Sequence, residues 1–137
     1  MASTHETESA LLELHPRGCI IVRARKGISQ TLDHARENVA QSVALAGGKR
    51  LLPLLVDISQ TAPLTSEVRH YYVGGALAEN FTALGVVTEA SPLGRMMGNV
   101  FFRMMEHANR RDARTSIPTR MFGDEESALS WLTSSRR

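Results

Sequence analysis

Ser66 and His70 stand at i, i+4 in a stretch of helical periodicity, and Asp57 closes the apolar run before it. A helix turns residues at that spacing onto one face, so a hydroxyl, an imidazole and an upstream carboxylate offer the parts of an activated nucleophile. Pairs at i, i+4 also arise by chance in any helix, and no longer signature supports this one. His5, His15, His34, His70 and His107 are scattered, with no H-x-x-x-H or H-E-x-x-H pair, and Cys19 has no second cysteine to join. No metal site and no disulfide are expected. Ala46-Gly47-Gly48-Lys49-Arg50 sets glycines beside a lysine, but it lacks the spacing and Ser/Thr of a phosphate loop. It also leads from a helix into a strand, the reverse of the order such a loop needs. No G-x-G-x-x-G follows a strand. The residues therefore predict neither a cofactor nor an enzyme.

The elements that must position these residues follow from the periodicity of the apolar positions. Short apolar runs at 10–14 and 19–22, joined by His15-Pro16-Arg17-Gly18, read as a hairpin. Leu32, Ala35, Val39, Val43 and Ala46 repeat every three or four residues across 29–46, with Ser29 or Thr31 to cap and Gly47-Gly48 to stop the helix. The continuous run 51–58 reads as a strand buried on both faces. A second helix over 64–81 carries Gly74-Gly75 in its middle, a sign of close packing against another backbone. A strand at 82–88, a helix from Ser91-Pro92 to Asn109, a strand at 117–122 and a helix capped by Asp124 complete the chain.

The expected fold is α/β: a mixed, mostly parallel five-stranded sheet with an N-terminal β-hairpin and about four helices, in the order ββαβαβαβα. The chain reads as a single domain over 1–137 with an ordered core of about 9–134, because the residues before Ser9 and after Ser134 lack apolar periodicity.

The 137 residues are 42% hydrophobic and 22% charged, enough apolar material for one core without a staple. Lys and Arg number 16 against 14 Asp and Glu, so a net charge of +2 is a poor footprint for nucleic-acid binding. Arg103, Arg110, Arg111 and Arg114 make a local basic patch without interleaved aromatics. No apolar run approaches the ~20 residues of a membrane helix. The polar, acidic start and the single cysteine predict a cytoplasmic protein.

In parallel sheets, ligands and partners usually meet the carboxyl ends of the strands. That edge gathers Asp57, Ser59, Thr61, Thr65, Ser66 and Glu67, then Thr88, Glu89 and Ser91, then Gly123 and Asp124. Many of these are also what helix starts require as caps. The third helix carries an apolar stripe of Leu93, Met96, Met97, Val100, Phe101, Met104, Met105 and Ala108, with Phe102 on its flank beside Arg95, Asn99 and Glu106. Methionine-rich faces adapt readily to apolar partners, so Phe102 and Met105 are the candidates for a subunit contact or an apolar ligand.

The strand order, the segment Leu54-Leu55-Val56-Asp57-Ile58-Ser59 and the ending Phe122-Gly123-Asp124-Glu125-Glu126-Ser127-Ala128-Leu129-Ser130-Trp131-Leu132 together resemble the STAS domains. The resemblance is narrower still to the SpoIIAA-like stand-alone bacterial proteins, related to anti-sigma-factor antagonists. It implies a regulatory binding module that engages a protein partner through the edge of Asp57, Thr65, Ser66 and Glu67. In the antagonist branch a kinase phosphorylates a serine in an Asp-Ser-Ser-Gly-like segment, which falls here on Thr65, Ser66 and Glu67. Glu67 occupies the acceptor position, and a one-residue gap brings Ser66 into register. A standing charge at Glu67 would remove the change of roughly −1.5 to −2 that makes such a site a switch.

The expected function is thus a non-enzymatic regulator, a homodimer that binds a protein partner at that edge. The alternative is a carrier or sensor of an apolar or lipid-like ligand. A third reading is a small hydrolase using Ser66.

Overall fold

The computed structural model describes residues 3–47, 51–59, 64–88, 92–111 and 116–134. β2 (Ala10–His15) and β3 (Cys19–Ala24) form the expected antiparallel hairpin, with Leu12 opposite Val22 and Leu14 opposite Ile20. Gly18 sits at φ 84° and its N–H donates to the His15 carbonyl at 2.9 Å, a conformation that a Cβ would strain.

Among the described residues the sheet has six strands, not five. The addition is β1 (Ser3–Glu6), antiparallel to β2 from Ser3↔Leu14 to Glu6↔Leu11, in residues read from sequence as an unstructured head. All its residues are exposed. Ladder hydrogen bonds hold it, not apolar burial, so it leaves no alternation to detect.

The remaining elements follow in the predicted order: α1 (Leu32–Leu45), β4 (Leu52–Asp57), α2 (Ser66–Tyr71), a π-helical turn (Tyr72–Ala76), α3 (Leu77–Asn80), β5 (Phe81–Val87), α4 (Pro92–Arg111), β6 (Thr119–Phe122) and α5 (Glu125–Ser134). Thr31 caps α1, accepting from the His34 N–H at 3.1 Å, while His34 Nδ1 accepts from the Thr31 N–H at 3.1 Å. The helix foreseen over 64–81 is broken by the π-helical turn, where Gly75 takes φ 130°. Gly75 needs glycine for its positive φ, while a Cβ at Gly74 would meet nothing within 4 Å.

Strands lie in sequential order across the sheet, with β3, β4, β5 and β6 parallel. Parallel crossovers are right-handed. When each new strand is added on the same side, they all fall on one face. The core divides accordingly. Ile20, Leu54, Leu84 and Val86 pack with Leu77, Met105 and Tyr72 on the crossover face. Cys19, Ile21, Leu55 and Val87 pack under α5 through Ala128, Leu129 and Leu132 on the other. α5 sits close because β5 carries Gly85, where a Cβ would meet Leu132 Cδ1 at 3.1 Å.

Candidate functional site

A cavity of about 220 Å³ lies between the crossover face of the sheet and the helices above it. Its floor is made of strand residues at alternating positions: Ala10, Val22 and Ala24 at one end, Leu54, Val56, Leu84 and Val86 at the other. Ala10 and Ala24 are direct partners across the hairpin, so two methyl groups floor that corner and leave volume above them. α1 supplies Asn38, Val39 and Ser42, the π-helical turn supplies Tyr72, and α3 supplies Leu77. Ile58, Leu64 and Arg69 stand at the carboxyl end of β4, with Met96 and Val100 of α4. Met96 and Val100 are 59% and 46% exposed, which puts the mouth of the cavity beside α4.

The buried face of α1 differs from the stripe read in the sequence. It is Ala35, Asn38, Val39 and Ser42, at i, i+3, i+4 and i+7. Two polar residues thus face the interior. Asn38 Nδ2 donates to Ser9 Oγ at 2.9 Å and its Oδ1 accepts from Thr7 Oγ1 at 2.5 Å. The Tyr72 hydroxyl donates to Gln30 Oε1, and burial pushes the Tyr72 phenol well above its usual range. Two polar atoms in the cavity wall are buried with no hydrogen-bond partner: Ser42 Oγ and Arg69 Nε. Leaving such a group unpaired costs about 1–3 kcal/mol.

A second cluster lies on the opposite face, under the start of α5. Arg23 Nε and Nη2 each lie 2.9 Å from a Glu125 oxygen, and Nη1 lies 2.9 Å from Glu13 Oε1. Asp57 is the register partner of Arg23 on the next strand. Its Oδ1 accepts from the Ser59 N–H at 2.9 Å and from Ser59 Oγ at 2.5 Å, and a side-chain hydrogen bond joins it to Glu125. Burial holds the Asp57 carboxyl above its ordinary range, while the Arg23 guanidinium holds Glu125 below its own. The Arg23–Glu125 pair ties α5 to the sheet. Asp124 completes the helix start, accepting from the Ser127 N–H at 2.8 Å, and that bond lowers its pKa.

The structure separates the residues that sequence reading grouped. Asp57 points toward α5, away from α2. Thr65 caps α2, accepting from the Val68 N–H at 3.3 Å. Ser66 Oγ lies 3.2 Å from His70 Nδ1, and the same nitrogen lies 2.8 Å from the Ser66 carbonyl oxygen. A nitrogen that near a carbonyl carries the proton, so it cannot accept one from Ser66. Glu67 is exposed on the same turn. Met105 is 1% exposed and belongs to the core, while Phe102 is half-buried. Thr61, Glu89, Ser91 and Arg114 lie outside the described residues, as do the side chains of Leu93, Arg95, Met97 and Phe101.

Sequence reading missed Ser42, Arg69 and Tyr72. The signal for Ser42 was its spacing from Ala35 and Val39. Arg69 and Tyr72 carried none, since an Arg and a Tyr in a short helix are ordinary surface residues. Among the described residues no group of three His, Cys, Asp or Glu is placed to hold a metal ion, and no helix is long and apolar enough to cross a membrane.

No curated protein and no solved structure matches the chain. Residues 12–136 match the family described as a domain of unknown function, DUF7793, and the chain belongs to that family.

Proposed function

We propose that the protein is a binding module that carries or senses an apolar, lipid-like ligand in the cavity beneath α1 and α4. One observation carries this reading: a space of about 220 Å³ whose walls are almost wholly aliphatic and aromatic. It is larger than the roughly 150 Å³ void that takes up benzene in an engineered core. Burying an apolar chain against these walls contributes about 25 cal/mol per Å² of surface removed from water, so an apolar occupant gains stability there.

The protein-binding edge has less to support it, because Asp57 is engaged with Ser59 and Glu125 while Thr65 and Ser66 bond within α2. Among the described residues the hydrolase reading has no free base at Ser66, because His70 Nδ1 faces the Ser66 carbonyl.

Uptake of the neutral dye N-phenyl-1-naphthylamine tests the proposal, together with native mass spectrometry of the purified protein. Wild-type protein takes up the dye with about one site per chain or carries extra bound mass. Ala24→Phe, which fills the floor of the cavity, abolishes both. A clean apo mass with no dye uptake overturns the reading.

A further inference from the structure

Among the described residues that line the cavity, Arg69 is the one ionised group. Its Nη1 donates to the Leu64 carbonyl at 2.5 Å, which fixes the guanidinium plane at the end of the cavity near Ile58. Its Nε is buried with no partner, and no ion pair neutralises it among the described residues. The same molecule shows what that edge of a guanidinium accepts. In Arg23 the Nε and Nη2 donors, both on one side, hold the two oxygens of Glu125 at 2.9 Å each. In Arg69 the Nε donor of that edge has no partner.

Resting on the cavity reading above, we infer that the ligand is a medium-chain monocarboxylate, its carboxylate forked onto Arg69 and its chain laid across Val56 toward Ala10 and Ala24. A carboxylate matches the fork in charge and geometry: two oxygens, one negative charge, parallel N–H donors. A phosphate monoester brings about −1.5 to −2 charge and three acceptor oxygens, for which the described lining residues offer no second cation. The bound anion satisfies the orphaned Nε and neutralises the cation, and the chain fills the void.

Three ligands of one chain length separate the outcomes: decanoate, decan-1-ol and decyl phosphate, each titrated against the bound neutral dye below its aggregation threshold. Wild-type protein binds decanoate about tenfold or more tighter than decan-1-ol, the range of a charge-assisted hydrogen bond. Arg69→Met reduces decanoate to the level of the alcohol while uptake of the neutral dye persists, which shows that the variant keeps its cavity. Equal affinity of acid and alcohol in the wild type overturns the carboxylate assignment and leaves the cavity reading standing. Decyl phosphate binding tighter than decanoate overturns it in favour of a phosphoryl head group. Dye uptake by wild-type protein that none of the three ligands displaces overturns the medium-chain carboxylate assignment alone, whereas absence of dye uptake removes the cavity reading itself.

Discussion

Asp57 and Glu125 titrate against each other, and the direction of each shift fixes how stability responds to pH. Asp57 is raised, chiefly by burial. A raised carboxyl contributes stability that is full below its unfolded pKa of about 3.9 and is lost as pH rises through its folded value. Glu125 is lowered, chiefly by its bond to Arg23. Its contribution is present above its unfolded pKa and is lost as pH falls through the folded one. Asp57→Asn keeps the acceptor for Ser59 and still donates to Glu125, but it has no proton to lose. The variant should therefore melt higher than wild type at pH 8, with the gap closing by about pH 4. Screening at a half-exposed site keeps the effect to about 1 kcal/mol or less, about 2–4 °C. Equal melting temperatures at both pH values would refute the raised pKa of Asp57. Asp57 was legible in the sequence as the polar end of a buried strand. Its partners Arg23 and Glu125 were not, because strand register and the docking of α5 decide them.

Among the elements, the segment from α2 to α3 departs most from regular geometry, and its two glycines have different roles. Gly75 needs its positive φ of 130°. Gly74 does not, and a Cβ there meets nothing within 4 Å. Gly75→Ala should cost about 1–3 kcal/mol through backbone strain, whereas Gly74→Ala should be neutral or gain up to about 1 kcal/mol by restricting the unfolded chain. Urea denaturation of the two variants checks the opposite signs; similar losses in both would mean that packing governs the pair. The glycines were visible in the sequence, but positive φ and close approach leave the same letters. The same segment carries Tyr72 and Arg69 to the cavity, so its irregular turn shapes the site as well as the backbone. β1 was hidden for a different reason: an edge strand with every side chain in solvent needs no apolar pattern, only unpaired β2 groups to meet.

At the scale of the whole molecule, the direction of winding decides where a ligand can sit. Open parallel sheets bind at the carboxyl edge where strand order reverses, because neighbouring crossovers there leave on opposite faces and open a crevice. Here the order runs β1 to β6 without reversal. The crossovers crowd one face, and the space appears beneath them. The alternation of strands and helices was readable in the apolar periods, whereas the side on which each new strand adds is not written in any local pattern. Ser42 tests the consequence, since its 1% exposed hydroxyl has no partner and lines the space. Ser42→Leu removes the orphan hydroxyl, improves helix propensity and fills part of the void. Ligand-free protein should gain about 2 kcal/mol, roughly 5–8 °C in melting temperature. The variant should also lose the ligand-induced shift, which in wild type reaches about 2.7 kcal/mol at a hundredfold excess over Kd. A variant that is destabilised yet still binds the dye would mean that the void does not exist where the side chains place it. Gained stability with lost binding is the exchange expected of a core kept hollow for a guest.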